Sequence, residues 1–308
     1  MINLSQYFTK IKGELYKNTS LAPLTWFKVG GPAEYLFIPE NKEDLIAFLK
    51  QYPAEQPKTI IGAGSNLLIR DGGIPGVVIS MKKINKISKV NEFIYAECGA
   101  LDMAISRMAS KLGISGLEFL IGIPGTIGGA LKMNAGSYGS EIKDILVDVE
   151  VIDSSGSIFN VSSKDLKLEY RKNNSPDNWI FLSCNLKGKH SQEEKIRIKM
   201  KKIMNDRKSN QPINQLTGGS TFKNPYQMKS WQLIDKAGCR GLTYGKAQVS
   251  DKHCNFLINN GAAQSSDIET LGEIVRRKVL SETGVSLEWE IIRIGEKTQN
   301  KMDNLYAV

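Results

Sequence analysis

The chain has 308 residues, 41% hydrophobic and 24% charged, with a formal net charge of +9. That length predicts two or three domains with ample core, and the composition is that of an ordinary soluble globular protein. No apolar run approaches the roughly 18 residues of a spanning helix, which excludes membrane insertion by a helix.

The start, Met1-Ile-Asn-Leu-Ser-Gln-Tyr7, lacks a basic stretch followed by an apolar one, so no secretory signal is expected. Cys98, Cys184, Cys239 and Cys254 lie far apart with no C-x-x-C pair. A cytoplasmic, reduced protein without a metal is the expectation. His190 and His253 are the only histidines, a poor start for a Ser-His-Asp triad. The excess positive charge is dispersed, much of it between Lys195 and Lys208, where Ile196, Met200 and Ile203 recur at helical spacing. A solvated helix face explains that segment, and attraction of a polyanionic nucleotide is the second reading. No aromatic-interleaved basic motif supports nucleic-acid binding.

In chain order, residues 1–20 read as a lead-in helix. Thr25 to Pro39 alternates as strand, turn and strand, with Phe27 and Val29 before Gly30-Gly31-Pro32 and Tyr35 and Phe37 after it. Asn41 is placed to cap a helix to Leu49, with Leu45, Phe48 and Leu49 on one face. Lys58 to Ile61 is a strand entering Gly62-Ala63-Gly64-Ser65-Asn66-Leu67. A dinucleotide fingerprint fails there, because its third glycine would fall at Leu67 and no helix follows. The loop is either an anion-binding nest or a structural glycine turn. Leu67–Ile69 and Val77–Ile79 read as strands on either side of Asp71-Gly72-Gly73.

Phe93 to Cys98 is a further strand. Leu101 to Leu112 is a helix by the spacing of Leu101, Ile105, Met108 and Leu112, stopped by Gly113. A second glycine cluster follows, from Gly122 through Ile123, Pro124, Gly125, Thr126, Gly128 and Gly129 to Asn134, Ala135 and Gly136. Thr126 is placed to cap a short helix whose exposed start suits a pyrophosphate. Two glycine loops in one strand-rich domain point to a cofactor cradled by backbone amides. Further strands are read at Leu146–Ile152, Ile158–Val161 and Trp179–Leu186. Tyr170-Arg171 stands in a loop between them; a lone loop Arg is commonly solvated, and it is also the side chain suited to a two-pronged carboxylate contact.

The basic helix over 192–208 and Ser209-Asn-Gln-Pro212 mark a domain junction. Then comes Gly218-Gly219-Ser220-Thr221-Phe222-Lys223-Asn224-Pro225, a turn that also carries a hydroxyl, a cation and an amide. Ser230–Ala237 is a short helix and Cys254–Asn259 a strand. Ser266–Glu269 reads as a capping box for a helix ended by Gly284. Val285 to Gly295 alternates as a strand, in which Glu290 reads either as part of a solvated face or, beside Trp289, Ile291 and Ile292, as partly buried with a raised pKa.

These motifs, in this order and spacing, resemble the UDP-N-acetylenolpyruvoylglucosamine reductase family over residues 18–296. The motifs are Gly62–Leu68, Gly122–Gly129, Met133–Gly136, Tyr170-Arg171, Gln211-Pro212, Gly219–Pro225, Val249–His253, Asn255-Phe256 and Glu290–Gly295. The resemblance implies an α+β fold. Its first part, residues 21–190, would be a two-subdomain FAD-binding domain of the vanillyl-alcohol oxidase/p-cresol methylhydroxylase type, divided near 82/83. Residues 191–308 would form a smaller α+β substrate-binding domain. It further implies FAD held by residues 62–67, Ile123–Thr126, Gly128, Gly129 and 134–136, with NADPH as hydride donor. The substrate would be UDP-N-acetylglucosamine enolpyruvate, with hydride passing from the flavin N5 to C3 and a proton to C2.

Carried over residue by residue, Arg171 would stabilise the enolate, Ser220 deliver the proton, and Glu290 donate or orient a donor. Ser220 would need a neighbour such as Lys223, or an ordered water, to act as an acid. Tyr170, Lys223 and Asn224 would bind substrate; no metal, nucleic acid or second subunit is implied. Asn173 and Ser175 depart from the family's usual Ser and aromatic after Tyr-Arg, and the short stretch to Trp179 resembles the shorter of two family forms. The alternative is an FAD-dependent oxidase of an alcohol or hydroxy acid on the same fold.

Overall fold

The computed structural model describes residues 11–298. The chain divides into two compact units. Unit 1 holds residues 11–17, 35–63 and 76–207 of these, and unit 2 holds 18–34, 64–75 and 208–298. The backbone therefore passes between them at 17/18, 34/35, 63/64, 75/76 and 207/208.

Unit 1 carries most of a four-stranded sheet, in the order Glu14–Ser20, Pro32–Ile38, Ile74–Ser80, Lys58–Ile61. Lys58–Ile61 and Ile74–Ser80 run parallel, which requires a crossover between them. That crossover carries Gly62-Ala63 in this unit and residues 64–75 in the other. A five-stranded antiparallel sheet follows, in the order Ile158–Ser162, Leu146–Ile152, Ile180–Leu186, Phe93–Glu97, Ile87–Val90. The helices are α1 (Lys42–Leu49), α2 (Asp102–Lys111), α3 (Ile127–Lys132) and α4 (Glu193–Asn210), the last reaching three residues past the unit boundary. Phe37, Phe48, Ile79, Ile94, Leu120, Val149 and Leu182 belong to one continuous apolar core.

Unit 2 has a three-stranded antiparallel sheet of Thr243–Tyr244, Ala247–Val249 and Leu257–Asn259. Two helices accompany it, α5 (Ser230–Lys236) and α6 (Ser265–Thr283). A separate parallel pair joins Leu67–Ile69 to Ile292–Ile294. The core is set by Phe222, Ile268, Leu271, Val275, Leu287 and Ile291.

Several local expectations hold for physical reasons. The Asn41 side chain accepts the Asp44 N–H at 2.9 Å and opens α1. Gly284 closes α6 in the left-handed conformation at φ 71°. On α4 only Ile196 and Ile203 are buried, so its Lys and Arg residues mostly line a solvated face.

Others need correction. The lead-in helix over 1–20 is not what residues 14–20 form: they are a strand, whose ladder partner overrides local helical tendency, and residues 1–10 lie outside the described part. Phe27 and Val29 are buried but belong to a turn after a 3-10 segment at Ala22–Leu24, not to a strand. On α2 the helix begins one residue later than Leu101, which caps it in extended conformation and is 52% exposed. Its inner face is Asp102, Ile105, Ser106, Ala109 and Ser110. Burial pushes the Asp102 carboxyl well above its ordinary pKa. The capping box of α6 is Gln264 with Asp267, because the helix starts at Ser265 rather than after Ser266. Of the Val285–Gly295 strand only Ile292–Ile294 pairs regularly, although Leu287 and Ile291 do point inward.

The entry to α1 depends on one carboxylate. Asp44, 5% exposed, accepts backbone N–H bonds from Lys12 and Gly13 at 2.9 Å and from Glu40 at 3.0 Å. Asp44→Ala leaves three donors unpaired and is expected to lower unfolding free energy by about 2–4 kcal/mol in denaturant titration. A change within measurement error would show that water replaces the carboxylate.

Candidate active site

In unit 1 the two glycine loops meet. A Cβ built on Gly62 would lie 2.2 Å from the Thr126 Oγ1, so only glycine allows this approach. Thr126 precedes α3 in extended conformation, and its side chain makes no capping hydrogen bond. The first amides of α3 are not open to a ligand as its sequence suggests. Ile127 N–H donates to Ala100 C=O and Gly128 N–H to Cys98 C=O, both at 2.9 Å. Gly128 is there for packing, since a Cβ would sit 2.8 Å from the Cys98 Cβ and carbonyl oxygen. Ile123, Pro124 and Gly125 are half-buried and Gly129 is exposed. Gly62, Gly125 and Gly129 leave main chain uncovered by side chains at this meeting point, which fits a phosphate-bearing cofactor approached closely by backbone.

The same cluster is wired to the Tyr-Arg loop. Asn134, fully buried at φ 44°, donates to the Glu141 carboxylate and to Glu169 C=O, both at 2.8 Å, and accepts Lys143 N–H at 3.0 Å. Glu169 and Lys172 exchange backbone hydrogen bonds, so Tyr170 and Arg171 form the tip of a tight turn. Arg171 has φ 53°, an uncommon conformation for a residue with a Cβ, held by several contacts. Its Nη2 donates to Gly136 C=O at 2.9 Å and its guanidinium lies 5.1 Å from the Tyr170 ring centroid. Ala135 is buried. Asn173 donates to Leu131 C=O at the end of α3 and accepts Ser175 N–H, so the departure from the family pattern is accommodated as an anchor.

In unit 2, Gly219 takes φ 84° and Gly218 packs where a Cβ would lie 2.4 Å from the Phe27 ring. The following residues are held by Asn255. Its Nδ2 donates to Phe222 C=O at 2.9 Å, its Oδ1 accepts Phe222 N–H at 3.0 Å, and its own C=O accepts Thr221 N–H at 2.8 Å. Ser220 itself, half-buried, bridges Phe256. On the other side Glu290 N–H donates to Thr221 C=O at 2.8 Å, while the Glu290 carbonyl accepts Asn66 Nδ2 at 3.1 Å. Asn66 C=O in turn takes Ile292 N–H at 3.0 Å. Ser220, half-buried Glu290 and the Gly64–Leu67 half of the first glycine loop are therefore joined, through Thr221 and through the side chain and backbone of Asn66, inside one compact unit.

Lys223 is paired with the exposed carboxylate of Glu288 at 3.1 Å. Asn224 Oδ1 accepts Ser230 N–H at 3.0 Å and so caps α5. Sequence reading gave no role to Asn255 or to His253. Burial holds the His253 imidazole below its ordinary pKa, and its Nδ1 is buried without a hydrogen-bond partner among the described residues. The Asn255-Phe256 motif was visible, but nothing local shows that an amide there substitutes for a strand neighbour.

Comparison with known proteins decides the family. Residues 211–294 match the family described as UDP-N-acetylenolpyruvoylglucosamine reductase, C-terminal domain, and residues 33–162 match FAD binding domain. The chain is 53% identical over 287 residues to the UDP-N-acetylenolpyruvoylglucosamine reductase of Parvibaculum lavamentivorans, covering 93% of each. It is 50% identical over 289 residues to that of Bradyrhizobium sp., covering 93% of this chain and 94% of the other. The crystal structure of the Thermus caldophilus reductase superposes with TM-score 0.78 at 34% identity, over 92% of this chain and all of that one. The chain belongs to the UDP-N-acetylenolpyruvoylglucosamine reductase family. As a member it is an oxidoreductase of α+β fold, with an FAD-binding domain and the reductase C-terminal domain.

Two outcomes follow for this reductase-family site. Gly62→Ala forces Thr126 aside and is expected to weaken FAD binding about ten-fold or more in a fluorescence titration, a loss of about 1.4 kcal/mol. Unchanged affinity would separate the Gly62–Thr126 contact from the cofactor site. Asn255→Leu strands both polar groups of buried Phe222 and is expected to cost about 2–5 kcal/mol of stability by denaturant titration. A loss under about 1 kcal/mol would exclude the clamp as a structural element.

Proposed function

We propose that this chain reduces UDP-N-acetylglucosamine enolpyruvate to UDP-N-acetylmuramate in peptidoglycan precursor synthesis, using bound FAD and NADPH. The reading is supported above all by the joining of Ser220, Glu290 and Asn66 through Thr221 within unit 2. A proton donor and a carboxylate beside one half of a flavin-type loop is the arrangement such a reduction needs. The FAD-binding domain match and the named relatives support the cofactor and substrate.

FAD, when bound, supplies the hydride chemistry between the nicotinamide and C3 of the enolpyruvyl group. The remaining steps are those of side chains. Addition at C3 moves negative charge into an enolate conjugated with a carboxylate, and a fixed cation stabilises that charge better than water does. Arg171 is assigned this role, its guanidinium pre-set by the Gly136 carbonyl and the Tyr170 ring. Ser220 is assigned delivery of the proton to C2. A serine hydroxyl is a weak acid at neutral pH, and Lys223 is already paired with Glu288. Glu290, on the segment bonded next to Ser220, is therefore assigned to donate to the developing charge or to orient the group that does.

The cofactor would be held by the main chain of residues 62–67, Ile123–Thr126, Gly129 and Gly136. Gly128, Asn134 and buried Ala135 would act from behind by fixing the loop. Tyr170 and Asn224 would contact substrate, with Lys223 facing its anionic end.

Ser220→Ala tests this assignment. The variant is expected to keep bound flavin and its reduction by NADPH at the wild-type rate, yet lose turnover by about 100-fold or more. Full turnover would remove Ser220 from the acid role. Reduced wild-type flavin that recovers anaerobically only on adding the enolpyruvyl sugar nucleotide is the expected spectrum. Recovery driven by oxygen with an alcohol substrate would instead establish an oxidase.

A further inference from the structure

Glu290 lies between two side chains that are held with unusual completeness by one face of α6. Trp289 Nε1 donates to Glu273 Oε1 at 2.8 Å. Arg293 Nη1 donates to the same oxygen at 3.0 Å and to Glu269 Oε1 at 3.1 Å. The Arg293 guanidinium also stacks 4.4 Å from the Trp289 ring centroid. The second Glu273 oxygen takes Arg276 Nη1 at 2.7 Å, and Arg276 Nε reaches back to Leu287 C=O at 2.8 Å. Residues 287, 289 and 293 are thus each tied to α6, and 290 sits within that span.

The helix makes room for this. A Cβ on Gly272 would lie 2.2 Å from Cη2 and 2.4 Å from Cζ2 of Trp289, so the indole rests directly on the α6 backbone. Its other neighbour is Phe222, at 5.1 Å between ring centroids, two residues from Ser220. Trp289 is fixed in position by a hydrogen bond, a cation and two packing contacts.

We propose that α6 is a positioning cradle for Glu290, in which Glu273 and the notch at Gly272 set the Trp289–Arg293 segment and so fix where the Glu290 carboxyl stands. This rests on the assignment of Glu290 made above. Glu273, Gly272 and Trp289 are positioning residues, acting through the segment they hold. A displacement of about 1 Å in a reacting group is enough to slow a reaction about 100-fold, so small losses of registry are readable.

The test uses the FAD-loaded full-length protein and follows both half-reactions by rapid mixing. Glu273→Gln keeps an acceptor for Trp289 but turns an amide N–H toward Arg276. Trp289→Phe keeps an aromatic ring but removes both the donor and the benzo edge that lies over Gly272, and Gly272→Ala fills the notch. Each is expected to leave flavin reduction by NADPH within about two-fold of wild type, and to slow flavin reoxidation by the enolpyruvyl sugar nucleotide about 10- to 100-fold. In a Glu290→Gln background, Glu273→Gln is expected to add less than about two-fold, because the group it positions is already lost. Reoxidation at the wild-type rate in Glu273→Gln and Trp289→Phe overturns the cradle, as does a full additive loss in the Glu290→Gln background. Should Gly272→Ala fail to fold, the other two variants carry the result. Wild-type flavin that the sugar nucleotide does not reoxidise is a different outcome, and it overturns the function on which the cradle rests.

Discussion

The structure depends on the Glu290 peptide being held from both sides. Its N–H is taken by Thr221 C=O at 2.8 Å and its C=O by the Asn66 side chain at 3.1 Å. Residues 66, 221 and 290 are remote in sequence, and none lies in a long regular strand. A buried backbone group without a partner is costly, so these pairings do the work that a sheet ladder would do elsewhere. Asn255 extends the principle by giving Phe222 both a donor and an acceptor from one side chain. Irregular backbone can then carry functional side chains without the flatness of a sheet.

Electrostatics reinforce this arrangement at its outer edge. Arg70 grips Glu269 with two bonds of 2.9 Å and also donates to Gly295 C=O at 3.2 Å. Burial acts to raise the Glu269 pKa, but the Arg70 hydrogen bonds and the Arg70 and Arg293 charges outweigh it, holding the carboxyl below its ordinary value. A carboxyl depressed on folding contributes stability above its unfolded pKa, and that contribution disappears as pH falls through the folded value. The contribution is thus complete at neutral pH and fades only in acid. Removing one partner of such a partly buried cluster is worse than never having it, since the remaining charges keep their desolvation.

Much of the local structure was legible because local chemistry decides it. Asn41 caps α1, Gly284 ends α6 and Ile196 and Ile203 face inward on α4 for reasons contained within a few residues. What was not legible is what distant residues decide. Glu14–Ser20 forms a strand because a ladder neighbour is present, and Phe27 and Val29 alternate without being a strand because their neighbours are a turn. On α2 the apolar spacing ran through Leu101 and Leu112, while the fold buries Asp102, Ser106 and Ser110 instead. The family motifs marked candidate segments, and Gly128 shows why a glycine motif alone misleads about roles. Its amide serves Cys98 C=O, and its missing side chain makes room for the Cys98 Cβ.

That distinction carries over to the whole loop. Gly62 is required by Thr126, Gly128 by Cys98 and Gly136 by the Glu141 side chain and Ser140 carbonyl, where a Cβ would lie 2.7 Å from each. Each glycine permits one protein–protein approach, and together these approaches leave a surface of main chain and small side chains. Asn134 and Arg171 then fasten that surface from behind, through Glu169 and Gly136 respectively. A cofactor large enough to need backbone contacts along its length is better served by a surface built this way than by one exposed helix end. Close packing behind the loop holds its backbone in one arrangement, and under the proposed function that leaves little ordering for cofactor binding to accomplish.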